Sequence, residues 1–185
     1  MIHPYYFFMK IRKSMGILLM IMVGGAVGFT LFSQDAKEQG QEKTLGTDFL
    51  PSTLLNAAEQ KVSSSSLENK YIGLYFSASW CGPCRSFTPE LIKFRNQHAE
   101  NFEVVLVGGD GSPKAQSKYI KKYQMPWLAM ENQSEAAKKA SKNLQVQYIP
   151  YLVILAPDGQ VITKEGVSDV RSMGEAAFAY WSEAK

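Results

Sequence analysis

Nine residues, YIGLYFSAS from Tyr71 to Ser79, form an unbroken apolar and aromatic-rich run that leads directly to two cysteines, Cys81 and Cys84. Such a run reads as a strand buried in a sheet. A chain that buries a strand must also supply the layers that cover it. The segments that follow supply them. Phe87, Leu91 and Phe94 recur at helical spacing through about Glu100, with Pro89 expected to kink or restart that helix. FEVVLVGGD, Phe102 to Asp110, is a second strong strand closed by a Gly-Asp-Gly turn. SPKAQSKYIKKYQ, Ser112 to Gln124, opens with a serine cap and a proline in the first helical position. PWLAM, from Pro126, reads as a short strand or an extended piece. The next helix is expected to open at Asn132, with Glu135 three residues on as a capping arrangement. The triplet Asn132 to Ser134 also matches a glycosylation acceptor, and is read as the cap.

VQYIPYLVIL, Val146 to Leu155, predicts a strand broken by Pro150. Asp158-Gly159 between two apolar runs then predicts a hairpin into VITKEG. Ser168 to Ala184 predicts one amphipathic closing helix with a Ser or Asp cap. The expected order is βαβα, then a β-hairpin, then α. It corresponds to a three-layer α/β sandwich with a mixed central sheet. No internal repeat is present, and SSSS, Ser63 to Ser66, reads as a short loop. Trp127 and Trp181 read as core residues, and Trp80 as a surface residue.

Charge separates the ends of the chain. Lys10, Arg12 and Lys13 are the basic residues of the first 33, where no acidic residue occurs; from Gln34 onward 17 basic residues face 17 acidic ones. That balance gives no reason to expect a nucleic-acid partner. Met15 to Phe32 is an uncharged run of 18 residues behind the basic cluster. It is longer than an ordinary signal core and close to the about 20 residues of a spanning helix. Residues 1–33 are therefore expected to be a membrane anchor or a cleaved signal peptide, and both remain open. No cysteine follows the run, which excludes a bacterial lipoprotein. On either expectation the chain after Gln34 is exported. Residues 34–48 are polar and without periodicity, a flexible tether, and the folded domain is expected over residues 49–185.

The cysteines admit three uses. Zinc needs four ligands and C-x-x-C supplies two. The histidines are His3, ahead of the apolar segment, and His98, at the far end of a helix. A metal site is not expected. A structural staple gains little from closing a loop of two residues. Redox chemistry fits the position, after a buried strand and on the first turn of a helix, where free N–H groups and the helix dipole favour a thiolate. Cys81, nearer the helix end and solvent, is the expected nucleophile. Cys84, one turn further in, is expected to resolve the mixed disulfide.

WCGPC, with YIP about 65 residues later, resembles the thioredoxin superfamily. GLYFSASWCGPCRSFTPEL and MPWLAM are similar to its tryparedoxin and nucleoredoxin branch, over about Lys61 to Gly166. The resemblance implies that Pro150 is cis and faces a Cys81–Cys84 redox disulfide, and that Ile149 offers its backbone to an extended substrate strand. It places Trp80 beside the nucleophile, and it implies no cofactor beyond the two cysteines. Two departures stand out. Gly82-Pro83 is the thioredoxin dipeptide in a branch that usually has Pro-Pro. Tyr75 stands where a thioredoxin keeps a buried aspartate, as its own branch does, so the proton acceptor for Cys84 is left open between a water and Tyr75.

The expected activity is thiol–disulfide exchange, with Gly-Pro leaning toward a reductant of protein disulfides. The expected form is a monomer on the periplasmic face of a bacterial inner membrane, or free in the periplasm, recharged by a membrane electron-donor protein. A non-enzymatic binding module with a passive disulfide, a disulfide-forming oxidant and a reductase for cytochrome c assembly are the alternatives.

Overall fold

The computed structural model describes residues 49–184. The expected anchor or signal over residues 1–33 and the tether over residues 34–48 lie outside them. Among the described residues no helix is long and apolar enough to cross a membrane.

The apolar run becomes β3 of the sheet, preceded by a short hairpin. In chain order the strands are β1 (Thr53–Leu55), β2 (Lys61–Ser63), β3 (Tyr71–Ser77), β4 (Phe102–Gly108), β5 (Leu128–Ala129), β6 (Tyr151–Leu155) and β7 (Val161–Thr163). The helices are α1 (Gly82–Gln97), α2 (Pro113–Tyr123), α3 (Glu135–Asn143), α4 (Gly166–Met173) and α5 (Ala176–Glu183). The sheet order is β2-β1-β5-β4-β3-β6-β7. β3, β4 and β5 run parallel, and the pairs flanking them on both sides are antiparallel. The mixed sheet of the expected sandwich is therefore present.

All seven residues of β3 are buried. Alternation divides them between two cores. Tyr71 and Tyr75 join Phe87, Leu91 and Phe94 of α1 with Phe102, Leu106 and Trp181 on one face. Ile72, Leu74 and Phe76 join Val105, Val107 and Ala137, Ala140 and Leu144 at α3 on the other. Gly73 leaves room for the Phe102 ring, because a Cβ there would stand 2.9 Å from it. Trp127 and Trp181 are core residues, and Trp80 is on the surface.

Four expectations change. α1 runs through Pro89 as one helix and does not restart. Proline removes the N–H that would meet the Arg85 carbonyl, and beside it the Thr88 and Tyr75 hydroxyls both donate to the Cys84 carbonyl at 2.9 and 3.1 Å. α3 is capped by Ser134, whose Oγ accepts the Ala137 N–H, and Asn132 is drawn away to donate to the Asp110 carbonyl at 3.0 Å. β6 starts at Tyr151, so residues 146–150 form a loop and not a strand. The closing helix is two helices, parted at Gly174, whose φ of 56° lies where side chains are disfavoured.

The β1–β2 hairpin has no counterpart among the expected elements. Its turn is tied by Asn56 Oδ1, which accepts the N–H groups of Ala58 and Gln60. That turn chemistry was the available signal. SSSS leads into a single 3-10 turn, Ser64–Leu67.

Candidate active site

The end of β3 and the start of α1 bring Cys81 and Cys84 together as a disulfide, with Cα atoms 5.2 Å apart. Cys81 is the N-cap residue of α1, with extended backbone at φ −80°. Its sulfur stands where a serine or aspartate oxygen usually caps a helix, accepting the Cys84 N–H at 3.1 Å. After reduction the same N–H and the helix dipole point at the Cys81 sulfur and stabilise a thiolate there. Cys81 keeps 5% of its surface open and Cys84 none. Only the first sulfur is within reach of a partner molecule. Gly82 and Pro83 are exposed on the turn between them.

The Ile149–Pro150 peptide bond is cis. The Ile149 carbonyl oxygen lies 3.7 Å from Cys81 Sγ, so the loop before β6 reaches the nucleophile across 68 positions of sequence. Trp80 is 65% exposed and Tyr148 62%, two aromatic rings left in solvent on the residues just before Cys81 and Ile149. Both border a groove of about 560 Å³, with Phe76, Val107, Ile149 and Lys138 among its walls.

Beneath the disulfide lies a chain of buried hydroxyls. Ser77 Oγ contacts Tyr119 Oη at 3.0 Å, Tyr119 Oη contacts Thr88 Oγ1 at 2.9 Å, and Thr88 Oγ1 contacts Tyr75 Oη at 3.0 Å. Tyr75 is fully buried, and that burial pushes its phenol well above the ordinary range. Its O–H donates to the Cys84 carbonyl. Through that bond Tyr75 supports the turn that carries Cys84.

In the sequence Asp110 is the middle of a Gly-Asp-Gly turn. It is 1% exposed, and its Oδ1 accepts both the N–H and the Oγ–H of Ser79, at 3.1 and 2.6 Å. Arg85 donates to the Ser79 carbonyl at 3.1 Å, and Trp80 Nε1 donates to the Gly109 carbonyl at 3.3 Å. The segment ahead of Cys81 is thus clamped from the end of β4 and from α1. Asp110→Ala is expected to lower stability by about 1–3 kcal/mol, since it leaves the half-buried Ser79 N–H and hydroxyl without their acceptor. Asp110→Asn keeps an acceptor oxygen and should recover most of the loss. Urea unfolding of both variants checks this, and equal losses would assign the effect to charge and not to the clamp.

A thioredoxin-like family model matches residues 69–161. The tryparedoxin of Trypanosoma brucei brucei is 42% identical over 138 residues, covering 72% of this chain and 94% of that protein. Human nucleoredoxin is 40% identical over 121 residues, covering 63% of this chain and 27% of that protein. The chain thus spans under a third of the nucleoredoxin's length. Among solved structures, tryparedoxin II from C. fasciculata superposes with a TM-score of 0.65 at 37% identity, over 71% of this chain and 89% of that one.

Proposed function

The chain belongs to the thioredoxin-like family, in its tryparedoxin and nucleoredoxin branch, and on that premise we propose that it is a thiol–disulfide oxidoreductase acting on protein disulfides through Cys81 and Cys84. The observation that carries this is the asymmetry of the pair: one sulfur opens to solvent at a helix N-cap while the other is sealed behind it.

The Cys81 thiolate attacks one sulfur of the substrate disulfide. That bond breaks, and the departing thiolate takes up a proton. Cys84, having released its proton, attacks Cys81 Sγ and frees the second substrate thiol. Two electrons pass to the substrate, and the chain is left with the Cys81–Cys84 bond. The reaction needs no cofactor beyond these cysteines. Ile149 and Pro150 present backbone to an extended substrate segment, and Trp80 shields the mixed disulfide.

Gly82-Pro83 leans the chain toward the reducing end of a scale running from about −270 mV for thioredoxin to about −120 mV for a strong periplasmic oxidant. The exported compartment rests on residues 1–33 alone, with Met15 to Phe32 behind Lys10, Arg12 and Lys13. An exported reductant has to be recharged, so a membrane dithiol donor completes the proposal.

Cys84→Ser tests the reaction. It should accumulate covalent complexes with substrate proteins, released by reductant and visible on non-reducing gels. Capture of the same partners by a variant lacking both cysteines would make the chain a binding module instead.

A further inference from the structure

The net charge of zero after Gln34 hides a local segregation. α2 carries Lys114, Lys118, Lys121 and Lys122 and no acidic residue. Lys114, Lys118 and Lys122 follow one another at four-residue spacing on one side of the helix, where like charges repel. Lys121 is offset by Glu59 at 3.2 Å, and the Ser117 hydroxyl and Lys121 hold the Glu59 carboxyl below its ordinary range. Lys118, Lys122 and Arg85 have no carboxylate partner among the described residues.

These three cations line one depression of about 250 Å³, together with Ser79, Tyr119 and Tyr123. It is set against α1 and α2, whereas the Trp80–Tyr148 groove is set against α3 on the other face of the sheet. Ser79 lies two residues before Cys81, and Arg85 is one turn after it. The Arg85 bond to the Ser79 carbonyl ties one wall of the depression to the segment that leads into Cys81.

We propose that this basic depression docks acidic side chains flanking the substrate disulfide, so that the chain prefers disulfides set in acidic polypeptide segments. This rests on the exchange activity proposed above. The lysines are exposed, which suits steering of a large anionic surface toward Cys81 better than retention of a small anion. Screening by salt follows from the same exposure.

The test uses the reduced full-length chain and three substrates: the neutral hydroxyethyl disulfide, and two disulfide-linked peptides of identical core with Asp/Glu or Lys/Arg flanks. At low salt the acidic peptide should react about tenfold faster than the basic one, and 0.5 M NaCl should remove most of that difference. Lys118→Glu with Lys122→Glu should reverse the preference, and Lys118→Gln with Lys122→Gln should bring it near one. Both pairs should leave the hydroxyethyl disulfide rate unchanged. Equal rates for the two peptides, or a preference that survives salt and charge reversal, would overturn the docking inference while leaving the chemistry intact. A reduced chain inert toward the neutral disulfide would overturn the exchange activity, and docking with it.

Discussion

Cys81→Ser is expected to abolish exchange, with the rate falling roughly a thousandfold or more, because the nucleophile of a covalent mechanism has no substitute. A serine hydroxyl is a good helix cap and can accept the Cys84 N–H as the sulfur does. The variant should therefore fold. Its hydroxyl does not ionise near neutral pH, so the attacking anion is lost while the scaffold stays. Cys84 cannot take over, being fully buried at the third helical position. Rates with the neutral hydroxyethyl disulfide, alongside an unfolding curve, make the measurement. Retained activity in Cys81→Ser together with loss in Cys84→Ser would exchange the two roles.

The second large effect is on stability. Trp181→Ala is expected to destabilise the domain by about 3–5 kcal/mol, as removal of a fully buried aromatic does. Trp181 has no exposed surface, and its ring lies 5.2 Å from Phe94 and 5.7 Å from Phe102. Its Nε1 donates to Asp169 Oδ2 at 2.9 Å, tying α5 to α4. One side chain thus joins α5, α4, α1 and β4. Against a typical total of about 5–15 kcal/mol, the loss should be plain in urea unfolding. Trp181→Phe keeps most of the apolar surface but not the bond to Asp169, and should fall between. A loss under about 1 kcal/mol in Trp181→Ala would mean that the last two helices are not integral to the core.

How much of this was legible in the sequence depended on whether a signal was local. Helical spacing at Phe87, Leu91 and Phe94, the Ser112–Pro113 opening of α2 and the Asp158-Gly159 turn each state their structure within a few residues, and each is present. β1 and β2 are three residues long and gain their place from pairing with each other and with β5, so no periodicity could announce them. Ser134 displaced Asn132 as a cap because Asn132 is claimed by a carbonyl 22 positions away. The Gly174 break divides an apolar pattern that reads as continuous on paper.

The candidate site divides the same way. Cys81, Cys84, Gly82, Pro83 and Trp80 are contiguous, and their chemistry follows from a C-x-x-C at the start of a helix. By itself the sequence determined the redox pair, the buried strand that delivers it and the layered α/β class. Only the tertiary structure decided what surrounds that pair. It brought the Ile149 carbonyl to the Cys81 sulfur, made Tyr75 a buried donor, set the Asp110 carboxylate under Ser79 and gathered Arg85 with Lys118 and Lys122 around one depression. The reason is physical: charge, burial and hydrogen-bond partnership depend on what lies across space, and the neighbours that matter here are 6 to 68 positions apart in the chain.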